Sequence, residues 1–270
     1  MLRIALTPML ALGLLFMTSC SSVPATSTAN SAAVNDLAPT GKLRAAINFG
    51  NPVLAAKDPA SGEARGVSVD LSRELAHRLG VSLEMVTFTA AGKVVEAVKS
   101  GAWDIAFVAI DAARTSDMDY TAPYVVIEGA YLVPNASTIM SNDQVDRDGI
   151  RVVVGAGSAY DLYLSRELKR AQIIRAPTSA EVVQTMVAQR RDVAAGVKQQ
   201  LQADAARVPG VRLLPGRFMV INQAMATPKG RSAGAHYLDE FIEAMKASGF
   251  VADSLARHGI EGAMVAPPGR

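Results

Sequence analysis

The stretch GAWDIAFVAIDAARTSDMDYTAPY, residues 101–124, places an uninterrupted apolar run, residues 105–110, directly before Asp111 and a lone Arg114. A short apolar run bounded by Gly101 and Asp111 fits a strand covered on both faces. Arg114 follows its carboxyl end. A guanidinium keeps its charge at any relevant pH and carries paired donors that match a carboxylate. At a strand end facing a crevice it would aim at a ligand; a surface arginine in a turn is the plainer alternative.

Working outward, the order of elements predicts parallel pairing. Residues 43–49 read as a strand, and Asp58 to Gly62 as a turn between extended stretches. Asp70 is expected to cap a helix over residues 71–79, whose Leu71, Leu75, Ala76 and Leu79 share a face and which Gly80 ends. Residues 81–88 alternate as a strand, and residues 93–99 form a second helix. This strand-helix-strand-helix-strand order calls for helices on both faces of a parallel sheet. Residues 151–214 repeat the style, with strands at 151–155, 173–175, 192–197 and 212–214 and helices at 160–170, 179–189 and 199–207. An extended run, residues 218–226, and a last helix, 233–248, close the chain. Two α/β units fit a bilobal α/β protein whose ligand sits between the lobes, where the carboxyl ends of parallel strands gather.

The chain has 270 residues, 50% of them hydrophobic, and a formal charge of +2. That supports a sizeable core and gives no reason to expect a nucleic-acid partner; the aromatic fraction of 5% also leaves few rings to stack on bases. Arg3, the apolar stretch from residue 4 to 17 and the small residues after it describe an export segment over residues 1–20. Cys20 is the only cysteine, so it forms no internal disulfide. Its position resembles a bacterial lipobox, which would anchor a periplasmic protein to a membrane by a lipid; cleavage near Ala25 by ordinary signal peptidase is the alternative. Residues 21–41 are small and polar and are expected to be a flexible tether.

Catalytic patterns are missing. His77, His236 and His258 are scattered without partners at metal-ligand spacing, and residues 155–158, Gly-Ala-Gly-Ser, match no dinucleotide, phosphate-loop or nucleophile-elbow motif. No cofactor or metal is expected.

Five segments, GKLRAAINFG, GVSVDLSRELAHRLGVSLEMV, VVEAVKSGAWDIAFVAI, the R-x5-YTAPY spacing and GAGSAYDLYL, resemble in order the bacterial extracellular solute-binding proteins of polar amino-acid ABC transporters, over residues 42–259. The resemblance implies a periplasmic-binding fold, a monomer, a small carboxylate-bearing ligand captured by lobe closure, and an inner-membrane ABC permease as partner. Lobe one would comprise residues 42–123 and 224–270, lobe two 129–218, with hinges at 124–128 and 219–223.

Residue by residue, the resemblance gives Arg114, which stands ten positions before Tyr124, the role of clamping the ligand carboxylate. Ile110 and Asp111 lead into that loop. Gly157 and Ser158 would add amide and hydroxyl donors from a helix N-terminus. Other positions depart from the family pattern. Asn48 and Val197 stand where acids meet the ligand's amine, and Asn51 and Ala91 where aromatic rings sandwich the ligand. Asp111, Glu128, Phe49 or Tyr160 are the residues available to compensate. The departures lead to the expectation of a carboxylate whose amine is absent, substituted or displaced.

Two other classes share the scaffold. A periplasmic cyclohexadienyl dehydratase would need a glutamate after the strand at Asp192, where this chain has Gln199 and Gln200. A sensor ectodomain or lytic-transglycosylase module would need further domains, for which the residues after 259 leave no room, although a stand-alone ligand-sensing binding protein fits.

Overall fold

The computed structural model describes residues 26–269, with side chains from residue 31. In chain order its main elements are α1 (Thr26–Leu37), β1 (Lys42–Asn48), β2 (Ala56–Lys57), β3 (Ala64–Arg65), α2 (Val67–Leu79), β4 (Ser82–Phe88), α3 (Ala91–Glu96), β5 (Ile105–Ala109), β6 (Met118–Pro134), β7 (Arg151–Gly155), α4 (Ala159–Glu167), β8 (Gln172–Ala176), α5 (Val182–Ala188), β9 (Val193–Val197), α6 (Lys198–Arg207), β10 (Val211–Leu213), β11 (Met219–Pro228), α7 (Ser232–Ala247), α8 (Phe250–Arg257) and β12 (Met264–Val265). The export segment with Cys20, and Ala25, lie outside the described residues.

One sheet runs through the molecule in the order β4-β1-β5-β11-β6-β9-β7-β8. Its two ends are parallel: β1 pairs with β4 and β5, and β7 with β8 and β9. Between them β6 and β11 run antiparallel to each other and to their neighbours. The 17-residue β6 joins the two ends. Its first part pairs with the second half of β11, and its last residues with β9 and β10. The β6–β11 register holds from Met219↔Gly129 to Gln223↔Val125 and then shifts at Gln223/Ala224 and again before Ala226. Such irregularities bend strands and increase their twist.

Apolar residues segregate accordingly. Leu43, Ile47, Leu75, Ile105, Phe107, Met225 and Phe241 share one core, and Ala46, Val94, Trp103 and Met118 a second on the opposite face of the same sheet end. Tyr131, Val152, Leu164 and Val193 form a third core; Leu132, Val153, Val183 and Ala194 form a fourth. Two sandwiched sheet ends, each with its own pair of cores, make two lobes.

Two local expectations are corrected. Residues 26–37 are a helix rather than a tether. Ala33 and Leu37 are buried, Gly234 of α7 donates its amide to Asp36 Oδ2 at 2.9 Å, and Arg231 Nη1 donates to the Asp36 carbonyl at 2.9 Å. The small side chains that look unable to fold alone suit close packing on α7, where a Cβ at Gly234 would stand 2.9 Å from Asp36 Cβ. Asp70 lies in the first turn of α2, whose N-cap is Gly66 at φ 121°. It ties α2 to α8 instead: Asp70 Oδ2 accepts from Ser254 Oγ at 2.6 Å and Arg257 Nη2 at 3.1 Å, and lies 2.9 Å from His258 Nε2.

Candidate functional site

Strand β5 is buried along its whole length, and its carboxyl end opens on the boundary between the lobes. Asp111 turns the chain there: its Oδ1 accepts from the Ala113 amide at 2.9 Å, starting a 3-10 turn over Ala112–Arg114. The turn sends the Arg114 side chain back over the strand end, where Nη1 donates to the Ala109 carbonyl at 3.1 Å and Nη2 to the Gly157 carbonyl at 2.7 Å. Arg114 is only 2% exposed. Among the described residues no carboxylate lies within ion-pairing distance of it. Burial pushes its pKa down from the usual arginine value, with more distant Tyr120 and Asp111 opposing that shift. The buried Tyr120 hydroxyl has no hydrogen-bond partner among the described residues and is pushed up to about 12 by burial, so this neighbour is a neutral phenol.

From the second lobe, β7 ends at Gly155, and Gly157 turns the chain at φ 67° into α4. A Cβ on Gly157 would stand 2.8 Å from Gly92 Cα, so the lobes touch backbone to backbone. Ser158 caps α4 by accepting from the Asp161 amide at 3.0 Å. The Gly157 amide donates to Asp161 Oδ2 at 2.9 Å. The Gly157 amide that the resemblance assigns to a ligand carboxylate is therefore engaged with the helix's own first turn, and Ser158 Oγ acts there as an acceptor.

Between these elements lies a cavity of about 30 Å3. Arg114, Asn48, Asn51, Ala91, Tyr160 and Val197 line it, together with Gly50, Phe107, Val108, Ala109, Ala159, Ser179, Ile221 and Gln223. Tyr160 donates to Ser179 Oγ at 2.8 Å, and burial raises its pKa. Asn48 Oδ1 accepts from the Gly50 amide at 2.9 Å, and Asn51 Oδ1 from the Val53 amide at 3.3 Å. Gly50 is forced to be small, since a Cβ there would meet the Thr89 carbonyl at 2.6 Å. A larger hollow, about 590 Å3, lies on the second lobe among Ile139, Met186, Arg190 and Pro209, but it holds neither Arg114 nor any buried cation.

Four residues singled out in the sequence sit differently. Ile110 is 40% exposed and lies off the cavity wall. Phe49 packs on the first-lobe core with Lys57 Nζ 5.5 Å above its ring. Asp111 is clasped by Arg166 of the second lobe, whose Nη2 and Nη1 donate at 2.9 and 3.2 Å. Burial alone would raise the Asp111 carboxyl, but bonds from Arg166 and the Ala113 amide hold it below the usual carboxylate value. Glu128 accepts from Lys198 at 2.8 Å and Arg217 at 2.7 Å, which lower its pKa. Neither acid is open to compensate for Asn48 or Val197. Gln223 went unnoticed in the sequence. It is a polar residue on the inward face of β11 between Ile221 and Met225, all three buried, and that period-2 placement was the available signal.

The sequence profile of the bacterial extracellular solute-binding proteins, family 3, matches residues 43–259. The chain belongs to this family. No curated protein matches it. Solved structures share its bilobal periplasmic-binding-protein fold. A mutant of ArgBP from T. maritima is 19% identical with a TM-score of 0.73, over 85% of this chain and 100% of that one. An amino acid ABC transporter substrate-binding protein from Streptococcus pneumoniae Canada MDR_19A, bound to L-arginine, is 18% identical with a TM-score of 0.72, over 87% and 99% of the two chains. The ancestral amino acid-binding protein AncCDT-1, a precursor of cyclohexadienyl dehydratase, is 23% identical with a TM-score of 0.71, over 83% and 98%. Among the described residues of this family member, no helix is long and apolar enough to cross a membrane, and no cluster of three or more potential ligands is placed to hold a metal.

Proposed function

We propose that the protein is the exported solute-binding component of an ABC importer and captures a small carboxylate-bearing ligand between its lobes. One observation carries this reading: among the described residues no carboxylate pairs with the buried Arg114 guanidinium, which spends a donor on the Gly157 carbonyl. A desolvated charge is costly unless an opposite charge meets it. A ligand carboxylate would supply that charge and take the donor now given to Gly157. Lobe one would be residues 42–123 and 224–270, lobe two residues 129–218, and the hinges residues 124–128 and 219–223, next to the register shift in β11. The cavity is narrow, about 30 Å3, so a ligand of several heavy atoms is expected to enter as the lobes part.

The non-enzymatic reading is supported by the cavity wall, which holds no carboxylate, histidine, cysteine or lysine to move a proton. Gln199 and Gln200 point elsewhere: Gln199 Nε2 donates to the Glu261 carbonyl at 3.2 Å, and Gln200 Nε2 to Asp204 at 2.9 and 3.0 Å. Periplasmic location, with a lipid anchor at Cys20, belongs to the same proposal.

A thermal-shift screen over small carboxylates, followed by small-angle scattering with each hit, tests it. Hits should raise the melting temperature, and scattering should show closure from a more open ensemble. Binding without any change in radius of gyration, or no binding by any carboxylate, contradicts it.

A further inference from the structure

We infer that the ligand is a small organic acid without a free ammonium group, bearing an oxygen acceptor beside its carboxylate, as in 2-oxo and 2-hydroxy acids. The inference rests on the carboxylate reading above and is carried by the charge and hydrogen-bonding character of the cavity wall.

The wall contains one formal charge, Arg114, and it is positive. An ammonium group placed there would join a second cation to a buried one, and the wall offers no acid to meet the ammonium. The two acids that could compensate are spent. Asp111 is held by two bonds from Arg166 and a third from the Ala113 amide. Glu128 is held between Lys198 and Arg217. Bringing either to a ligand amine would loosen at least one of these ion pairs.

The neutral polar groups favour the same class. The amide orientations of Asn48 and Asn51 are fixed, because each oxygen accepts from a nearby backbone amide. What remains unpaired on each among the described residues is the Nδ2 donor. The Gln223 carboxamide, 5% exposed on β11, makes no hydrogen bond among the described residues. An ammonium group donates and never accepts, so it could use the Gln223 oxygen but would leave the asparagine donors unmet. A keto or hydroxyl oxygen accepts from them. Ala91, Ala159 and Val197 complete the wall with small apolar surface.

Calorimetry on the full mature protein with three matched pairs tests this: pyruvate and L-alanine, 2-oxoisovalerate and L-valine, 2-oxoglutarate and L-glutamate. At least one 2-oxo acid should bind, about tenfold or more tighter than its amino acid, a gap of about one decade in Kd. Asn48→Asp, which puts a carboxylate on the wall, should narrow or reverse that gap. Amino acids binding tighter, with that binding lost in Arg114→Met, overturn this inference and leave the carboxylate reading standing. No binding by any 2-oxo acid also overturns it. Binding by either class that survives Arg114→Met overturns both.

Discussion

Arg114 Nη2 donates to the Gly157 carbonyl across the lobe boundary at 2.7 Å, so the first lobe's buried cation and the second lobe's turn hold each other directly. On the proposed function, a ligand carboxylate would take the donor that this contact now uses.

Replacing Arg114 separates binding from stability. Arg114→Met nearly keeps the side-chain volume and removes a buried cation that no carboxylate pairs with directly among the described residues. Melting temperature should be unchanged or higher, while carboxylate binding falls about a hundredfold or more. A loss of more than about 5 °C, on the order of 1–2 kcal/mol for a chain this size, would show that its bonds to Ala109 and Gly157 outweigh the cost of burying the charge.

The backbone contact between the lobes makes a second prediction. A Cβ on Gly92 would lie 3.3 Å from both the Ala156 carbonyl oxygen and Gly157 Cα. Gly92 lies inside helix α3, where alanine is favoured over glycine. Gly92→Ala should therefore preserve or raise the melting temperature while weakening ligand binding several-fold, because it obstructs closure alone. Equal affinity in the variant argues against this contact forming in the bound state.

Asp111 and Arg166 give the closed arrangement a pH limit. Because the Asp111 pKa is depressed, its contribution is full above the ordinary carboxylate value and is lost as pH falls through the lowered one. Ligand affinity should be flat from about pH 7 to 5 and drop below about pH 4. Asp111→Asn should weaken binding modestly at neutral pH, since Arg166 is half exposed and screened, and should shrink the acid step. An unchanged acid profile in the variant would assign the step to another group.

Stability of the first lobe should hinge on Asp104. Its fully buried carboxylate accepts from Arg44 Nε and Nη2 and from Arg231 Nη1, each at 2.8 Å. Arg231 also reaches the Asp36 carbonyl of α1. Asp104→Ala leaves two cations around an emptied site and should cost about 3–5 kcal/mol, read as a shifted midpoint in urea unfolding. A change below about 1 kcal/mol would mean the arginines relax into water.

Much of the fold was legible because burial imposes period on sequence. The apolar run at residues 105–110 and the alternation at 81–88 correspond to β5 and β4, and the Asp58 to Gly62 turn joins β2 and β3. Helix α1 was not legible. Its alanines and serines carry no strong amphipathic signal, and only Gly234 on a helix some 200 residues away reveals why they pack. The site divides in the same way. Arg114 stands out as a charge after an apolar strand, whereas the spending of Asp111 on Arg166 depends on a pairing 55 positions apart. Asn48 and Asn51 lie on the cavity wall, but that their oxygens are already taken follows only from the local backbone turns.

The most direct measurement pairs a change in the ligand with a change in the protein. For the tightest carboxylate found by screening, calorimetry would compare the acid with its methyl ester, on the wild type and on Arg114→Met. If Arg114 meets the ligand carboxylate, esterification should cost about a hundredfold in the wild type and little in the variant. An equal loss on both proteins would place the carboxylate elsewhere and contradict the account.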